Sequence, residues 1–361
     1  MKRCILGIII FITVCCFGIT ASADSMTELS VLYNLNFVDS AADLDSVVTK
    51  GDFAAALIRV IGMDKTDVTN YYTSFRDLST RSENYNALLI AEKLGIVSGD
   101  EYGNIRPDES ISYNQAVKML VNLLGYGDYA QTTAPYPLGH SIVASRLKLD
   151  SGVGVSGDEL ISWRDAAKLL YNSLDVKILN KITAGQKTSY STSDSKTLLY
   201  AYHGIIKAKG TVCGTGHVKL SDDVVCGAYE VNIGGDCYVP GDVDLSDYLG
   251  YEVEYYYSEK DNVSTLLCAF PTDKNRVITI SGDKVRTFTG TKIEYYAENS
   301  PKVFTEDIDF SARILYNSAP AGRIASDMIA GQEGNIKLID SNGDGSFESV
   351  IIEVIKSFVV G

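Results

Sequence analysis

The sequence has few of the residues and motifs on which enzymes and nucleic-acid-binding proteins depend. Its three histidines lie in neither a G-x-S-x-G motif nor a metal-ligand spacing, and it has no P-loop and no dinucleotide fingerprint. Positive charge is also scarce, because 32 basic residues stand against 46 acidic ones and leave a net charge of −14. Such a chain repels nucleic acid and anionic lipid. We therefore expect no catalytic residues and no nucleic-acid partner.

The chain has one long apolar run, and it lies at the start. Lys2 and Arg3 precede the apolar segment 5–19, and the small residues Ala21-Ser22-Ala23 follow it. This order is typical of a signal peptide, and the run is shorter than the about 20 residues that span a bilayer. We predict a signal peptide over residues 1–23, export, and no membrane association after cleavage. A retained anchor and lipidation at Cys15 are the alternatives.

Cysteine is absent from the first half of the mature chain. Cys213, Cys226, Cys237 and Cys268 all lie in the second half, and no C-x-x-C pair is present. That spacing argues against a zinc site. In an exported protein the four cysteines can form disulfides, and burial as free thiols in strands is the equal alternative.

Three segments follow one helical template. Each has a Thr or Ser followed three residues later by an acid or amide, as in a capping box, and then apolar residues at helical spacing. The segments are VTKGDFAAALIRVIGM (48–63), ISYNQAVKMLVNLLGY (111–126) and ISWRDAAKLLYNSLDV (161–176). A second helical pattern precedes each one, at 29–35, 88–94 and 142–147. One helix-loop-helix unit cannot bury its apolar face alone, so we expect the three units to pack together.

The second unit carries a more specific pattern. It has FRDL from Phe75, then AEKLGIVSG (91–99) and GNIRPDESIS (103–112) before its capped helix. This resembles the S-layer homology (SLH) repeat, which has a Phe-x-Asp start, Leu-Gly-Ile, Gly-Asp, Gly-x-Phe-x-Pro-Asp and a Thr-Arg-Ala-Glu helix start. The first and third units resemble it more loosely, and the resemblance covers about residues 26–178.

The resemblance implies a fold, a partner and a location. Three SLH repeats form a pseudo-threefold helical bundle whose grooves bind a secondary cell-wall polysaccharide, often pyruvylated, and so attach the protein to a Gram-positive-type wall. The family's Arg that contacts the polymer corresponds to Lys50, Tyr113 and Trp163. Lys50 keeps the positive charge, or is an ordinary solvated lysine. The two aromatic residues can stack on sugar rings or be buried between repeats.

In the second half of the chain the apolar residues no longer follow a helical period but alternate as in strands. Residues 179–197 are rich in Ser, Thr and Lys, which predicts a linker or exposed excursion. Beyond them, short β-branched and aromatic stretches alternate with Gly, Asn and Asp turns, which predicts all-β barrel or sandwich modules over 198–361. The sequence stops in a predicted strand, so truncation of a longer chain is an open alternative.

The sequence DSNGDG (340–345) begins like a calcium loop. Asp340, Asn342 and Asp344 occupy its first, third and fifth positions. The twelfth position is Ile351 where a bidentate Glu is needed, although Glu348 could supply another oxygen. The alternatives are a polar hairpin turn and a weak Ca²⁺ site; we expect no other cofactor.

Together these patterns predict a multidomain α + β protein. The predicted boundaries are 24–64, 65–127 and 128–178 for SLH repeats one to three, 179–197 for the linker and 198–361 for the β-rich modules. The predicted function is non-covalent attachment of an exported protein to the cell wall or S-layer, with the β half as spacer or display region. The alternative is a secreted wall- or polysaccharide-active hydrolase with an unrecognised carboxylate site in the β half.

Overall fold

The computed structural model describes residues 23–39, 43–184, 187–216, 218–298, 301–322 and 324–355. Apart from Ala23, the predicted signal peptide lies outside the described residues. Within them, no helix combines the length and apolar character needed to cross a membrane. Helices fill the first half and strands the second, so the predicted α + β class is confirmed.

Eight α-helices are present in the described residues. They are α1 (Ala23–Asn34), α2 (Lys50–Val60), α3 (Tyr85–Lys93), α4 (Tyr113–Leu123), α5 (Gly127–Thr133), α6 (Leu138–Arg146), α7 (Trp163–Leu174) and α8 (Leu198–His203). The three template segments form α2, α4 and α7. Thr49 caps α2, while Ser112 and Ser162 form complete capping boxes with Gln115 and Asp165. Caps of this kind stabilise a helix by about 1 kcal/mol each.

The residues just before α2, α4 and α7 meet in a closed ring of backbone hydrogen bonds. The Val48 amide donates to the Ile161 carbonyl (3.1 Å), Ile161 donates to Ile111 (3.1 Å), and Ile111 donates to Val48 (2.9 Å). All three side chains are completely buried. The three helices therefore start from one common centre.

A second set of bonds surrounds the ring and ties each helix to a neighbouring segment. The amides of Lys50, Tyr113 and Trp163 donate to the carbonyls of Glu109 (2.9 Å), Glu159 (2.9 Å) and Ser46 (3.0 Å). Each donor is the first residue of its helix, where an amide has no partner inside the helix. The first residue of each capped helix is thus placed at an interface.

The segment predicted as a linker is an antiparallel hairpin. It consists of β1 (Lys177–Ala184) and β2 (Lys187–Thr197). Lys181 forms an ion pair with Asp128 of α5, and the ring of Tyr190 packs against that of Tyr129. Its Ser- and Thr-rich composition fits strand residues exposed to solvent, because Thr favours extended backbone without requiring a core. Of the two forms predicted for this segment, the hairpin corresponds to the exposed excursion.

The remaining strands form two sheets. Their bounds are β3 (Ile205–Thr215), β4 (Val218–Lys219), β5 (Val231–Ile233), β6 (Asp236–Tyr238), β7 (Glu252–Lys260), β8 (Val263–Pro271), β9 (Arg276–Ser281), β10 (Val285–Phe288), β11 (Lys292–Tyr296), β12 (Val303–Tyr316), β13 (Ala319–Ala321), β14 (Glu333–Asp340) and β15 (Phe347–Ile355). The first sheet has the order β6-β5-β3-β7-β8, with β4 paired to β3. The second has the order β10-β11-β12-β15-β14-β9, with β13 paired to β12. Its β12–β15 pair is parallel.

The helical core continues into the first sheet. Completely buried Tyr256 of β7 belongs to the same apolar cluster as the helices. At this junction Lys207 Nζ lies 2.9 Å from a carboxylate oxygen of Asp175 and 3.3 Å from one of Glu254. Burial lowers the pKa of Lys207, but Asp175, Tyr171 and Glu254 outweigh it and raise the pKa above its ordinary value. The helices and the first sheet are therefore packed as one unit.

The four cysteines divide between the two alternatives. Cys226 and Cys237 form a disulfide with a Cα–Cα separation of 5.8 Å. Cys213 and Cys268 are buried free thiols, and burial raises the pKa of Cys268 to about 12. The first pair supports the disulfide expectation and the second pair supports the free-thiol expectation.

Candidate functional site

The three residues predicted to bind a polymer occupy equivalent positions but do not come together. Lys50, Tyr113 and Trp163 are the first residues of α2, α4 and α7. Because those helices radiate from the hydrogen-bonded ring, each residue faces a different interface. The three positions therefore belong to three separate interfaces.

A groove beside Lys50 lies between the start of α2 and the loop that precedes α4. Its volume is about 330 Å³. We call it the Lys50 groove, and its polar and aromatic lining consists of Lys50, Ser98, Asp100, Asn104, Arg106, Glu109, Gln115, Lys118 and Tyr136. This set brings together three cationic and two anionic side chains, which gives a local net charge of +1 in a chain of net charge −14.

Lys50 is half-buried in this groove. Its Nζ donates to the carbonyl oxygen of Ile105 at 2.7 Å. Burial lowers its pKa, and the nearby Glu109 carboxylate opposes that change. A lysine ammonium has three donors, so one bond to Ile105 leaves two that can reach a ligand.

The loop that forms the wall of the groove is held by the acid of the FRDL motif. The Asp77 carboxylate accepts hydrogen bonds from the amides of Ile105 (2.8 Å) and Arg106 (2.7 Å). These bonds hold Arg106 in the left-handed region, with φ +54. Its guanidinium pairs with Asp100 at 2.8 Å and with Glu109 at 3.4 Å. The hydrogen bond to Asp100 and the charge of Glu109 raise the pKa of Arg106.

The opposite wall consists of Lys118 and Tyr136. Lys118 Nζ donates to Ser98 Oγ at 3.0 Å and lies 5.3 Å from the centre of the Tyr136 ring. Burial lowers the pKa of Lys118. A ring with one apolar face and a polar edge suits a sugar, and the adjacent ammonium groups suit an anion. The Lys50 groove thus combines the groups needed to bind an acidic saccharide.

A buried histidine supports this wall from behind. His140 of α6 is 1% exposed, and its ring meets that of Tyr136 edge-on, with centroids 5.6 Å apart. Neither ring nitrogen has a hydrogen-bond partner. Burial, and then the charge of Lys118, lower the pKa of His140. The imidazole is consequently neutral at pH 7.

The interface at Tyr113 has a different chemistry. Tyr113 is 7% exposed and borders an open groove of about 550 Å³. Asp150 is the one charged residue in that lining, which otherwise includes Asn114, Ser141 and Ser156. Burial and the Asp150 charge raise the pKa of Tyr113. This groove lacks the paired ammonium groups of the Lys50 groove, and the Tyr113 side chain beside it is largely buried.

Trp163 occupies the third interface. It is half-buried and packs against the helical core. Beside it, Arg164 forms an ion pair with Asp45 at 2.8 Å. The indole lines neither of the other two grooves.

Sequence reasoning missed three residues of the Lys50 groove, namely Arg106, Lys118 and Tyr136. The repeat does contain a pattern that identifies Lys118, because Lys168 occupies the same template position in the third segment. Lys168 also reaches a neighbouring loop, where its Nζ donates to the Gly152 carbonyl at 2.7 Å. Tyr136 enters the groove through the packing of α6 on α4, which no local pattern specifies.

The residues of the calcium-like motif lie in the turn between β14 and β15. Asp340 is buried, while Asn342 and Asp344 are exposed. Single carboxylate oxygens of Asp340, Asp344 and Glu348 lie within 4.8 Å of one another. The segment therefore brings three carboxylate oxygens close together.

Comparison with known proteins relates the groove to a family. The profile of the S-layer homology domain matches residues 74–117, which include most of the Lys50 groove wall. The chain is 24% identical over 160 residues, or 44% of its length, to the "Surface layer protein" of Brevibacillus choshinensis. It is 24% identical over 295 residues, or 79% of its length, to the "Cell surface protein" of Thermoanaerobacter kivui. It is 19% identical over 268 residues, or 68% of its length, to the "Middle cell wall protein" of Brevibacillus brevis.

The aligned parts are small fractions of those relatives. The chain spans 14%, 36% and 24% of their respective lengths. The relatives are thus much longer proteins that share segments with this one.

Proposed function

Since this chain contains an S-layer homology domain and is a protein of the extracellular cell wall, we propose that it is held there by binding a secondary cell-wall polysaccharide. The observation that carries the proposal is the Lys50 groove, which joins Lys50, Arg106 and Lys118 with the ring of Tyr136. The attachment is non-covalent, and the groove holds an acidic segment of the polymer.

The three helical units are proposed to be three SLH repeats, over residues 24–64, 65–127 and 128–178. Their support is the recurrence of one arrangement, in which each unit contributes a capped helix and one bond of the ring. The family profile matches residues 74–117, which lie within the second of these units. The β half, residues 198–361, then serves as a spacer or display region.

Lysine charges and the tyrosine ring have separate roles in this proposal. Lys50 and Lys118 neutralise the acidic group of the polymer, and both are half-buried, so water screens them less than it screens exposed lysines. Tyr136 stacks on a sugar ring and is positioned by Lys118 and His140. Arg106 is more exposed and already paired with two acids, so its contribution is smaller.

Sedimentation with purified cell walls tests the proposal. Residues 24–361 are the appropriate protein, because the helical core continues into the first sheet. The double variant Lys50→Ala/Lys118→Ala should bind at least about 100-fold more weakly, at about 1.5–3 kcal/mol for each lost charged hydrogen bond. Lys93→Ala in α3 is the control for loss of a lysine elsewhere, since Lys93 is exposed and outside the groove.

Two results would contradict the proposal. If the double variant and the control sediment like the unmodified protein, the polymer does not bind in the Lys50 groove. If the unmodified protein fails to sediment with walls freed of other proteins, polymer binding itself is wrong. Release of soluble saccharide from those walls would instead favour the hydrolase alternative.

A further inference from the structure

We propose that the turn between β14 and β15 binds a calcium ion through Asp340, Asn342, Asp344 and Glu348. This site lies in the β half and does not depend on the proposed wall attachment. Its acidic ligand after the DSNGDG motif is Glu348, the further oxygen that the sequence offers, and it uses no residue at the twelfth position.

Three carboxylates are crowded at this turn. One oxygen from each of Asp340, Asp344 and Glu348 lies within 4.8 Å of the other two. Asp340 is 1% exposed, so water cannot separate it from its neighbours. Among the described residues, no lysine or arginine forms an ion pair with these three acids. Like charges held this close to a buried carboxylate destabilise each other unless a cation lies between them.

An unpartnered oxygen points independently to a cation ligand. Glu348 Oε2 accepts hydrogen bonds from the amide and hydroxyl of Ser341, at 2.8 and 3.1 Å. The other oxygen, Glu348 Oε1, is completely buried and has no hydrogen-bond partner. A buried carboxylate oxygen without a donor is costly, and a bound cation would satisfy it.

The other ligands are already oriented by the turn. Asp340 accepts from the amides of Gly343 (2.7 Å) and Gly345 (2.9 Å), one on each oxygen. Asn342 Oδ1 accepts from the Asp344 amide at 2.7 Å. These bonds leave further lone pairs on each oxygen and fix the carboxylate and amide planes. Little ordering of side chains would then be needed on binding.

The donor set favours calcium over other metals. All four side chains offer oxygen, and neither histidine nor cysteine is present, which excludes a preference for zinc or copper. Asn342 and Asp344 are exposed, so water can complete an irregular shell of six to eight ligands, as Ca²⁺ accepts. Mg²⁺ requires a near-ideal octahedron and loses its water reluctantly.

Calcium bound here would stabilise the second sheet. β15 pairs with both β12 and β14, so the turn connects two inner strands of that sheet. An ion that binds only the folded state raises stability by mass action. Residues 24–361, first dialysed against EDTA, should bind one Ca²⁺ in a calorimetric titration. A hundredfold excess over Kd should raise Tm by about 5 °C.

Matched variants separate a specific site from general charge effects. Asp344→Asn/Glu348→Gln removes two ligands and should lose both the binding heat and the Tm shift. Asp273→Asn/Glu333→Gln removes the same charge from exposed positions outside the cluster and should keep both. Circular dichroism without calcium checks that the variants fold. If the first variant does not fold, Asp344→Asn alone changes only an exposed side chain.

The proposal is overturned by any of three results. These are no binding heat with the unmodified protein, an equal Tm shift with MgCl₂, and an equal Tm shift in both double variants. Wall sedimentation should be the same with and without calcium, so that failure here leaves the Lys50 groove unaffected.

Discussion

The Lys50 groove and the Tyr113 groove share a backbone arrangement and differ in chemistry. Lys50 and Tyr113 each begin a capped helix, and each amide bonds to a carbonyl of a neighbouring loop. Around Lys50 there are three cations and two acids, whereas Asp150 is the one charged residue lining the other groove. The repeat therefore determines where a groove lies, and the individual side chains determine what it can bind.

The largest expected effect is a loss of folding stability when a residue that supports both grooves is substituted. Ile111 is completely buried in the ring that positions both helices. Ile111→Ala should lower the free energy of unfolding by about 2–5 kcal/mol, because it removes core contacts and leaves a cavity. Urea unfolding of residues 24–361 measures this loss. Ile182→Ala, at a hairpin position that is 52% exposed, is the control and should have little effect. Equal losses in the two variants would contradict the central role of the ring.

A smaller effect is expected from pH, because the Lys50 groove is supported by a histidine. His140 supports Tyr136 of the Lys50 groove, and its pKa is lowered by burial and by Lys118. The His140 imidazole therefore binds a proton more readily in the unfolded chain than in the folded protein. The stability that depends on a neutral His140 is complete above the ordinary pKa of 6.5 and is lost as the pH falls below it. Stability and wall binding should both be lower at about pH 5.5 than at about pH 7.5.

A variant isolates the histidine from the many acids of the chain. His140→Leu keeps the site apolar and should reduce the dependence of unfolding free energy on pH over that interval. If the unmodified protein and His140→Leu show the same pH dependence, His140 does not titrate as proposed.

The local elements could be predicted from the sequence because their causes are local. Ser112 and Ser162 cap helices through residues three positions away, and the alternating stretches at 276–281, 335–340 and 349–355 form β9, β14 and β15. Lys50 lines a groove, and the polymer binding that the family resemblance implied for it stays a prediction. The sequence also located the turn where Asp340 and Asp344 lie.

The contents of the groove could not be predicted in the same way. Tyr136 reaches Lys118 only because α6 packs on α4. Arg106 is placed by the Asp77 carboxylate, which accepts hydrogen bonds from the amides of Ile105 and Arg106. The hairpin over 177–197 was missed because its polar composition resembles that of a linker. For Tyr136 and Arg106 the deciding contact joins residues far apart in the chain, whereas the hairpin forms from adjacent strands.

The most direct test of the account compares the two grooves in one measurement. Lys50→Tyr gives the Lys50 groove the residue of its counterpart, and Tyr113→Phe alters the Tyr113 groove without changing charge. The fraction of residues 24–361 bound to purified walls is measured at increasing NaCl concentration. We predict that Lys50→Tyr binds about 10-fold more weakly and depends less on salt, while Tyr113→Phe matches the unmodified protein. Unchanged binding by Lys50→Tyr, or weaker binding by Tyr113→Phe, would contradict the assignment of the polymer to the Lys50 groove.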